Sequence, residues 1–262
     1  MLNLKTVRVI LILLFLCMIL WDIFLYLSPD KATNANYLLN FGYSFIYIFG
    51  GIAGIIGAIK TDAKTNIGRM FIFFGIGLIS YAIGLWVWTY YNIILEVAAP
   101  YPAISDIFFL SLYPLVLIGF YNALKIYKLS LTTDVVIQSV IIFLIIVAVL
   151  LVSQNILIPQ GEVTPLVFIF NTAYQLVDAL LVAVAATALK IGGGSTYKGA
   201  RYFIFAFILQ AVADYTFAYT SAKGIYWNGS LADTLYITVA FVFSLGIISS
   251  LIQQSSSSVQ PS

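Results

Sequence analysis

Long runs of apolar residues, separated by short polar segments, follow one another along the whole chain. Eight of these runs are long enough to cross about 30 Å of hydrocarbon as α-helices, which takes about 20 residues each. They cover residues 7–28, 38–59, 68–95, 104–124, 134–157, 164–189, 199–222 and 231–252. The pattern predicts an all-α integral membrane protein with eight transmembrane helices. Because eight is an even number, both termini should lie on one side of the membrane.

Composition narrows the class of protein further. Charged residues make up 8% of the 262 residues and hydrophobic residues 62%, whereas soluble proteins contain about 25% charged residues. A water-soluble globular protein is therefore excluded. The chain has no histidine and one cysteine, Cys17, which excludes histidine-based catalysis, a disulfide framework and the common zinc sites. We predict no metal, no cofactor and no nucleic-acid partner.

Lysine and arginine are distributed unequally between the two sets of loops. If the N-terminus is cytoplasmic, ten of the twelve basic residues face the cytoplasm, and only Lys31 and Lys223 lie in outer loops. Basic residues in short loops favour the cytoplasmic side. We therefore predict a multi-pass protein of the cell membrane with both termini in the cytoplasm, and we interpret residues 253–262 as a disordered polar cytoplasmic tail.

The two halves of the chain resemble each other. The segment GYSFIYIFGGIAGIIGAIK (42–60) is similar to AYQLVDALLVAVAATALK (173–190). Three further pairs match at offsets of 127 to 132 residues: Arg69 with Arg201, Asp106 with Asp233, and Gly119 with Gly246. We interpret residues 1–128 and 129–252 as a tandem repeat of four helices each, and an even number of spans gives both copies the same orientation. The alternative is that unrelated membrane segments share aromatic residues and glycines.

Two aspartates lie where predicted helices begin at the outer side. Asp106 follows Ser105 directly, and Ser230 precedes Asp233 by three residues, as in an imperfect capping box. The free N–H groups of a helix N-terminus favour a carboxylate there, so helix capping is one interpretation. The other is that these four residues line an outward-facing vestibule. Pro114, inside the fourth predicted helix, predicts a kink.

Two more aspartates, Asp178 and Asp214, fall near the middle of the sixth and seventh spans without a basic residue at comparable depth. A charge at that depth costs at least ~2.5–3.5 kcal/mol, so both side chains should face the protein interior. Helical spacing places further polar residues on the same two faces: Asn171 and Gln175 with Asp178, Gln210 with Asp214, and Tyr174 at the edge of the first set.

These faces predict a polar pocket for a ligand or an ion in the second half of the chain. Asp22, nearer the outer end of the first span, is a further candidate member. The alternative is that the polar residues form interhelical hydrogen bonds that serve assembly alone.

Residues 88–119, WTYYNIILEVAAPYPAISDIFFLSLYPLVLIG, place a short proline-containing loop after an aromatic-rich helix and a Tyr-Pro step inside the next one. This pattern resembles the membrane-spanning input regions of prokaryotic signalling proteins, as fused to archaeal sensor histidine kinases and GGDEF-type diguanylate cyclases. The corresponding residues are Pro100, Pro102, Ser105, Asp106, Phe109, Tyr113 and Pro114.

The resemblance covers about thirty residues and implies a sensory role. The chain differs from the family pattern in the spacing of Ser105 and Asp106, which are adjacent here. Residues 224–246 restore the Ser-x-x-Asp spacing but lack the Tyr-Pro step. No kinase or cyclase domain follows the last span, so we expect any signal to pass to a separate protein.

Four functions are compatible with these features. The first is a membrane sensor or ligand-binding module that receives a small or lipidic ligand from the outer side and acts on a separate signalling protein or within a homo-oligomer. The second is a small secondary transporter that uses the midplane aspartates. The third is an intramembrane aspartyl protease, but AVADY around Asp214 lacks the Gly-x-Gly-Asp pattern, so we predict no enzyme. The fourth is a purely structural subunit.

Overall fold

Eight α-helices form the regular structure of the computed structural model, which describes residues 3–126, 132–157, 164–191 and 198–257, and no strand occurs among these residues. The helices are α1 Leu4–Leu27, α2 Asn34–Lys60, α3 Asn66–Ile93, α4 Ile104–Ile126, α5 Thr133–Leu157, α6 Pro165–Ile191, α7 Lys198–Ala222 and α8 Leu231–Ser257. Each is long and apolar enough to cross a bilayer. The predicted all-α fold with eight candidate membrane spans is confirmed.

The predicted bounds agree with the observed ones to within a few residues, with one correction. Helix α8 continues to Ser257, so residues 253–257 of the predicted disordered tail are helical, because nothing in this stretch breaks a helix that is already under way. The remaining tail residues, 258–262, and the predicted boundary between residues 128 and 129 lie outside the described residues.

Helices α2, α3, α4 and α8 form a closely packed group, with α1 against α2 and α8. Glycines set the separation of α2 and α3. A Cβ atom on Gly54 would lie 2.8 Å from the carbonyl oxygen of Phe71 and 2.9 Å from the Cα of Gly75. Small residues permit such close approach, which is the main source of helix attraction in lipid.

Helices α5 and α6 are packed more loosely, whereas α7 packs closely against α8. Helix α5 contacts α6, α6 contacts α7, and α7 joins the closely packed group through α8. None of the most apolar stretch of α5 is buried, whereas most of the corresponding stretch of α8 is. Helices α5 and α6 therefore present much of their surface to the surroundings.

The interior of the bundle has two unlike parts. Near the beginnings of α3 and α7 lie five buried phenylalanines, the phenylalanine cluster: Phe74, Phe120, Phe203, Phe207 and Phe243. The Phe74 ring lies 4.4 Å from that of Phe203 and 5.1 Å from that of Phe243. Toward the opposite end the buried side chains include tyrosines and aspartates. We call that end, which carries the connections 94–103 and 223–230, the loop face.

Candidate functional site

Two carboxyl groups from neighbouring helices meet in the interior. Asp178 of α6 and Asp214 of α7, the acid pair, lie within hydrogen-bonding reach of each other. Three neutral donors bond Asp214: the Tyr113 hydroxyl, the Tyr236 hydroxyl at 2.6 Å, and Gln210 Nε2 at 2.9 Å. The acid pair therefore joins α6 and α7 to α4 and α8 through uncharged groups.

Tyrosines of the first half extend this polar network. The Tyr81 ring stacks on that of Tyr47 with 4.6 Å between centroids, and Tyr81 also lies beside Gln210. The Tyr47 hydroxyl donates a hydrogen bond of 3.3 Å to the backbone carbonyl of Tyr236. Six helices, α2, α3, α4, α6, α7 and α8, thus contribute side chains around the acid pair.

Two buried acceptors beside the acid pair receive no hydrogen bond from the described residues. They are Oδ1 of Asp178 and Oε1 of Gln210, whose side chains are 5% and 2% exposed. Leaving a buried acceptor unpaired costs about 1–3 kcal/mol. Such groups are rare in folded proteins and call for a physical explanation. Both acceptors lie close to Asp214, whose carboxylate already accepts hydrogen bonds from three donors.

A second carboxyl group links this network to the loop face. Asp106 Oδ2 accepts a 2.7 Å hydrogen bond from the Ala103 backbone N–H, and Oδ1 accepts one of 2.8 Å from the Tyr174 hydroxyl. The Tyr174 ring packs edge to face against Tyr113, with 6.4 Å between centroids. Polar groups therefore lead from the start of α4 to the acid pair.

The outermost contact of this series involves the α3–α4 connection. The Tyr101 hydroxyl donates a 2.5 Å hydrogen bond to Asn171 Oδ1. Burial and the nearby Asp106 carboxylate raise the pKa of Tyr101 above its usual value, so the phenol stays a neutral donor. Asn171 thus lies at the loop face, away from the acid pair.

Asp233 makes a comparable cluster at the start of α8. Its Oδ2 accepts hydrogen bonds from the Gly229 N–H at 2.9 Å and the Tyr226 hydroxyl at 3.2 Å, while the Tyr43 hydroxyl lies 3.5 Å from Oδ1. Burial, with Asp233 adding to it, raises the pKa of Tyr226. Beside this cluster, Asn228 accepts a 3.1 Å hydrogen bond from Trp88 Nε1.

Both aspartates at the loop face cap helices with their carboxylates. Asp106 and Asp233 are 5% and 1% exposed, and each accepts a hydrogen bond from a backbone N–H just before its helix. The hydroxyls of Ser105 and Ser230 are buried and make no hydrogen bond with the described residues. The aspartates, rather than the serines, therefore supply the caps.

Sequence reasoning grouped some of these residues as the structure does. Asp178, Asp214 and Gln210 come together, whereas Asn171 and Tyr174 bond to residues at the loop face. Gln175 is half-buried on α6, between the two groups. Pro114 lies inside α4, next to Tyr113, and its kink stays a prediction.

One candidate residue, Asp22, lies away from the acid pair. Asp22 Oδ2 accepts a 2.5 Å hydrogen bond from Thr234 Oγ1, so it belongs near the start of α8 and not with the acid pair. The expectation that Asp22 joins the central pocket is wrong, because its side chain bonds Thr234 of α8 and the described part of α1 packs chiefly against α2 and α8.

Sequence reasoning did not place in the pocket the tyrosines that bond the acid pair or surround it, although Tyr113 was named as a residue of the motif. Tyr47, Tyr81 and Tyr113 lie in the middle parts of apolar helices, and Tyr236 lies in the second turn of α8. A buried tyrosine hydroxyl needs a hydrogen-bond partner, and that requirement was the available signal. Among the described residues, no cluster of three or more acidic or cysteine side chains suited to a metal ion occurs.

Comparison with known proteins adds no family to these observations. No protein-family model, curated protein or solved structure matches the chain. The function must therefore be inferred from the site itself.

Proposed function

We propose that the protein is a multi-pass membrane sensor or ligand-binding module whose site is the acid pair, approached from the loop face. One observation carries the proposal. Polar side chains extend from Tyr101 and Asp106 at the loop face to Asp214, whereas the phenylalanine cluster fills the interior near the other end. A site with a polar approach from one side and an apolar barrier on the other suits reception of a ligand.

The position of the acid pair suggests how occupancy produces a signal. Asp178 belongs to the loosely packed helix α6, whereas Asp214 and its partners Tyr113 and Tyr236 belong to α7, α4 and α8, which also carry the phenylalanine cluster. A ligand that alters the contact between Asp178 and Asp214 favours a different position of α5 and α6 relative to the other helices. The apolar surface of α5 is then available to report the change to a separate protein or to a second copy of this chain.

The sequence resemblance supports a role in receiving a signal. Asp106 and Tyr113, two residues of the motif shared with sensory input regions, are both members of the polar network that leads to the acid pair. In the resembling proteins the membrane region precedes a kinase or cyclase. We therefore propose a signalling protein of this kind as the partner.

We further propose that the two halves form a parallel four-plus-four repeat. Two reciprocal contacts support it: Tyr43 of the first half approaches Asp233 of the second at 3.5 Å, and Tyr174 of the second bonds Asp106 of the first at 2.8 Å. The two tyrosines are 131 residues apart and the two aspartates 127. A twofold axis along the membrane normal produces such an exchange of partners.

Contacts in the phenylalanine cluster support the same axis. A Cβ atom on Gly119 would meet the Phe74 ring, and one on Gly246 would meet the Phe203 ring at 2.8 Å. Phe74 and Phe203 also pack against each other, with 4.4 Å between centroids. With the basic residues assigned to the cytoplasm, the loop face is the outer face of the cell membrane and both termini are cytoplasmic.

A small secondary transporter is the second candidate, and one observation favours it. Asp178 and Asp214 lie in mid-helix and are bonded by neutral side chains, as is typical of coupling sites in carriers. A carrier must expose this site to both sides in turn, which requires opening of the phenylalanine cluster.

Solute accumulation separates the two functions. Purified protein in sealed vesicles is offered radiolabelled Na⁺, K⁺, amino acids, amines and sugars, and compared with the Asp178→Asn and Asp214→Asn variants. The sensor proposal expects equal uptake by all three proteins, together with isolation of a kinase or cyclase complex from native membranes whose activity changes in the variants. Uptake by the wild type that both variants lose would contradict the sensor proposal. Asp62→Asn, in an exposed turn, is the matched control.

A further inference from the structure

We infer that the acid pair binds a monovalent cation of about the size of Na⁺, held by oxygen atoms of Asp178, Asp214 and Gln210. This inference rests on the proposed function, since it names the class of ligand for the same site. It starts from the two acceptors, Asp178 Oδ1 and Gln210 Oε1, that are buried without a hydrogen-bond donor.

The available atoms match the preferences of a hard cation. Gln210 directs its Nε2 to Asp214 Oδ2 at 2.9 Å, so its side-chain amide lies against the acid pair and its oxygen stays unpaired. Asp178 lies against Asp214 in the same way and keeps Oδ1 unpaired. Carboxylate and amide oxygens are the ligands that alkali and alkaline-earth ions favour, while nitrogen and sulfur ligands suit transition metals.

The charge of the acid pair favours an ion with a single positive charge. Two adjacent carboxyl groups in a water-poor interior do not both ionise, so the acid pair keeps at least one proton and carries at most one negative charge. The side chains that surround it are Tyr47 from α2, Tyr81 from α3, Tyr113 from α4, Gln210 from α7 and Tyr236 from α8. All are neutral, so a monovalent cation makes the site neutral and removes the cost of a buried charge.

The surroundings favour a small occupant. Tyr47 and Tyr113 are fully buried, and Tyr81 and Tyr236 are buried as well. An organic ammonium ion would have to displace several of these rings, whereas a bare Na⁺, which is smaller than a water molecule, needs only the unpaired oxygens. A divalent ion is disfavoured because the described residues place no third acid at this site.

Direct binding of ²²Na⁺ to the purified full-length protein in detergent tests the inference. We expect saturable binding of one Na⁺ per protein, displaced by unlabelled Na⁺ but not by choline. Asp178→Asn and Gln210→Leu should each weaken binding by about tenfold or more, as loss of a supporting group does at other ion sites. Asp62→Asn should bind as the wild type does.

Three results would overturn the inference: no saturable Na⁺ binding by the wild type, equal displacement by choline, or binding that persists in both Asp178→Asn and Asp214→Asn. The wild-type measurement needs no variant to fold, so the inference stays testable if a variant misfolds. Failure here is distinct from failure of the proposed function, because a sensor for another ligand would still show no uptake in vesicles.

Discussion

The two parts of the interior differ although the same helices, α3, α4, α7 and α8, line both. In the phenylalanine cluster the buried rings lie 4.4–5.9 Å apart, and packing alone fixes their positions. Nearer the loop face, hydroxyl, amide and carboxyl groups hold the helices together, and several buried polar atoms, among them Asp178 Oδ1 and Gln210 Oε1, receive no hydrogen bond from the described residues. Dense apolar packing gives a fixed scaffold. An incompletely paired polar network, in contrast, can change to a second hydrogen-bond arrangement when a ligand binds.

The largest loss of stability is expected from a substitution in the phenylalanine cluster. Phe203 contacts Phe74 and Phe243, so Phe203→Ala leaves a cavity that the neighbouring rings cannot fill. We expect a loss of roughly 3 kcal/mol in the free energy of unfolding, the lower end for buried phenylalanines, because lipid rather than water receives the separated helices. Unfolding in mixed micelles with increasing dodecyl sulfate measures it.

Phe205→Ala is the matched control, since Phe205 lies two residues away on α7 and is exposed. Equal losses for Phe203→Ala and Phe205→Ala would mean that the phenylalanine cluster is not a structural scaffold.

A substitution at the acid pair should cause a smaller loss of stability, and further apolar substitutions should reverse it. Asp214→Leu leaves the donors of Tyr113, Tyr236 and Gln210 without their acceptor, and we expect a loss of about 2 kcal/mol in the same unfolding measurement. Adding Tyr113→Phe and Tyr236→Phe removes two of the three unpaired donors and should recover most of the stability.

The triple variant should nevertheless bind no Na⁺. If it stays as unstable as Asp214→Leu alone, the hydroxyl groups are not what makes the single substitution costly.

The smallest effects concern the two contacts that join the halves at the loop face. Tyr174→Phe removes a 2.8 Å hydrogen bond to Asp106, and Tyr43→Phe removes a 3.5 Å approach to Asp233. We expect a loss of about 0.6 kcal/mol for the first and less for the second. A double-mutant cycle of Tyr174→Phe with Asp106→Asn isolates the first contact, and a coupling energy of zero would contradict it.

Hydrophobicity alone predicted the eight helices, because each must present an apolar surface about as long as the bilayer is thick. The predicted fourth span, 104–124, differs from α4 by two residues at its end. The inward placement of Asp178, which is buried, and of Asp214, which is partly buried, was equally predictable, since an aspartate in mid-span has a strong reason to avoid lipid.

The register between helices was not predictable. Asn171 shares a helix face with Asp178, but seven residues of α-helix separate them by about 10 Å along the axis. Asn171 therefore reaches Tyr101 at the loop face instead of the acid pair. Likewise, helical periodicity gives no sign that Tyr113 and Tyr236 meet at Asp214, because that depends on how α4 and α8 are placed lengthwise against α7.

The most direct test of one-sided access uses the reactivity of a cysteine at position 175. Gln175→Cys, in a Cys17→Ser background, is placed in sealed vesicles and exposed to a membrane-impermeant thiol reagent from either side. Lys223→Cys at the loop face and Asp62→Cys at the opposite end, both at exposed positions, report which side the reagent reaches. We expect Gln175→Cys to react from the side on which Lys223→Cys reacts, and not from the side of Asp62→Cys. Reaction from the Asp62 side would contradict the proposal that the acid pair is approached through the loop face alone.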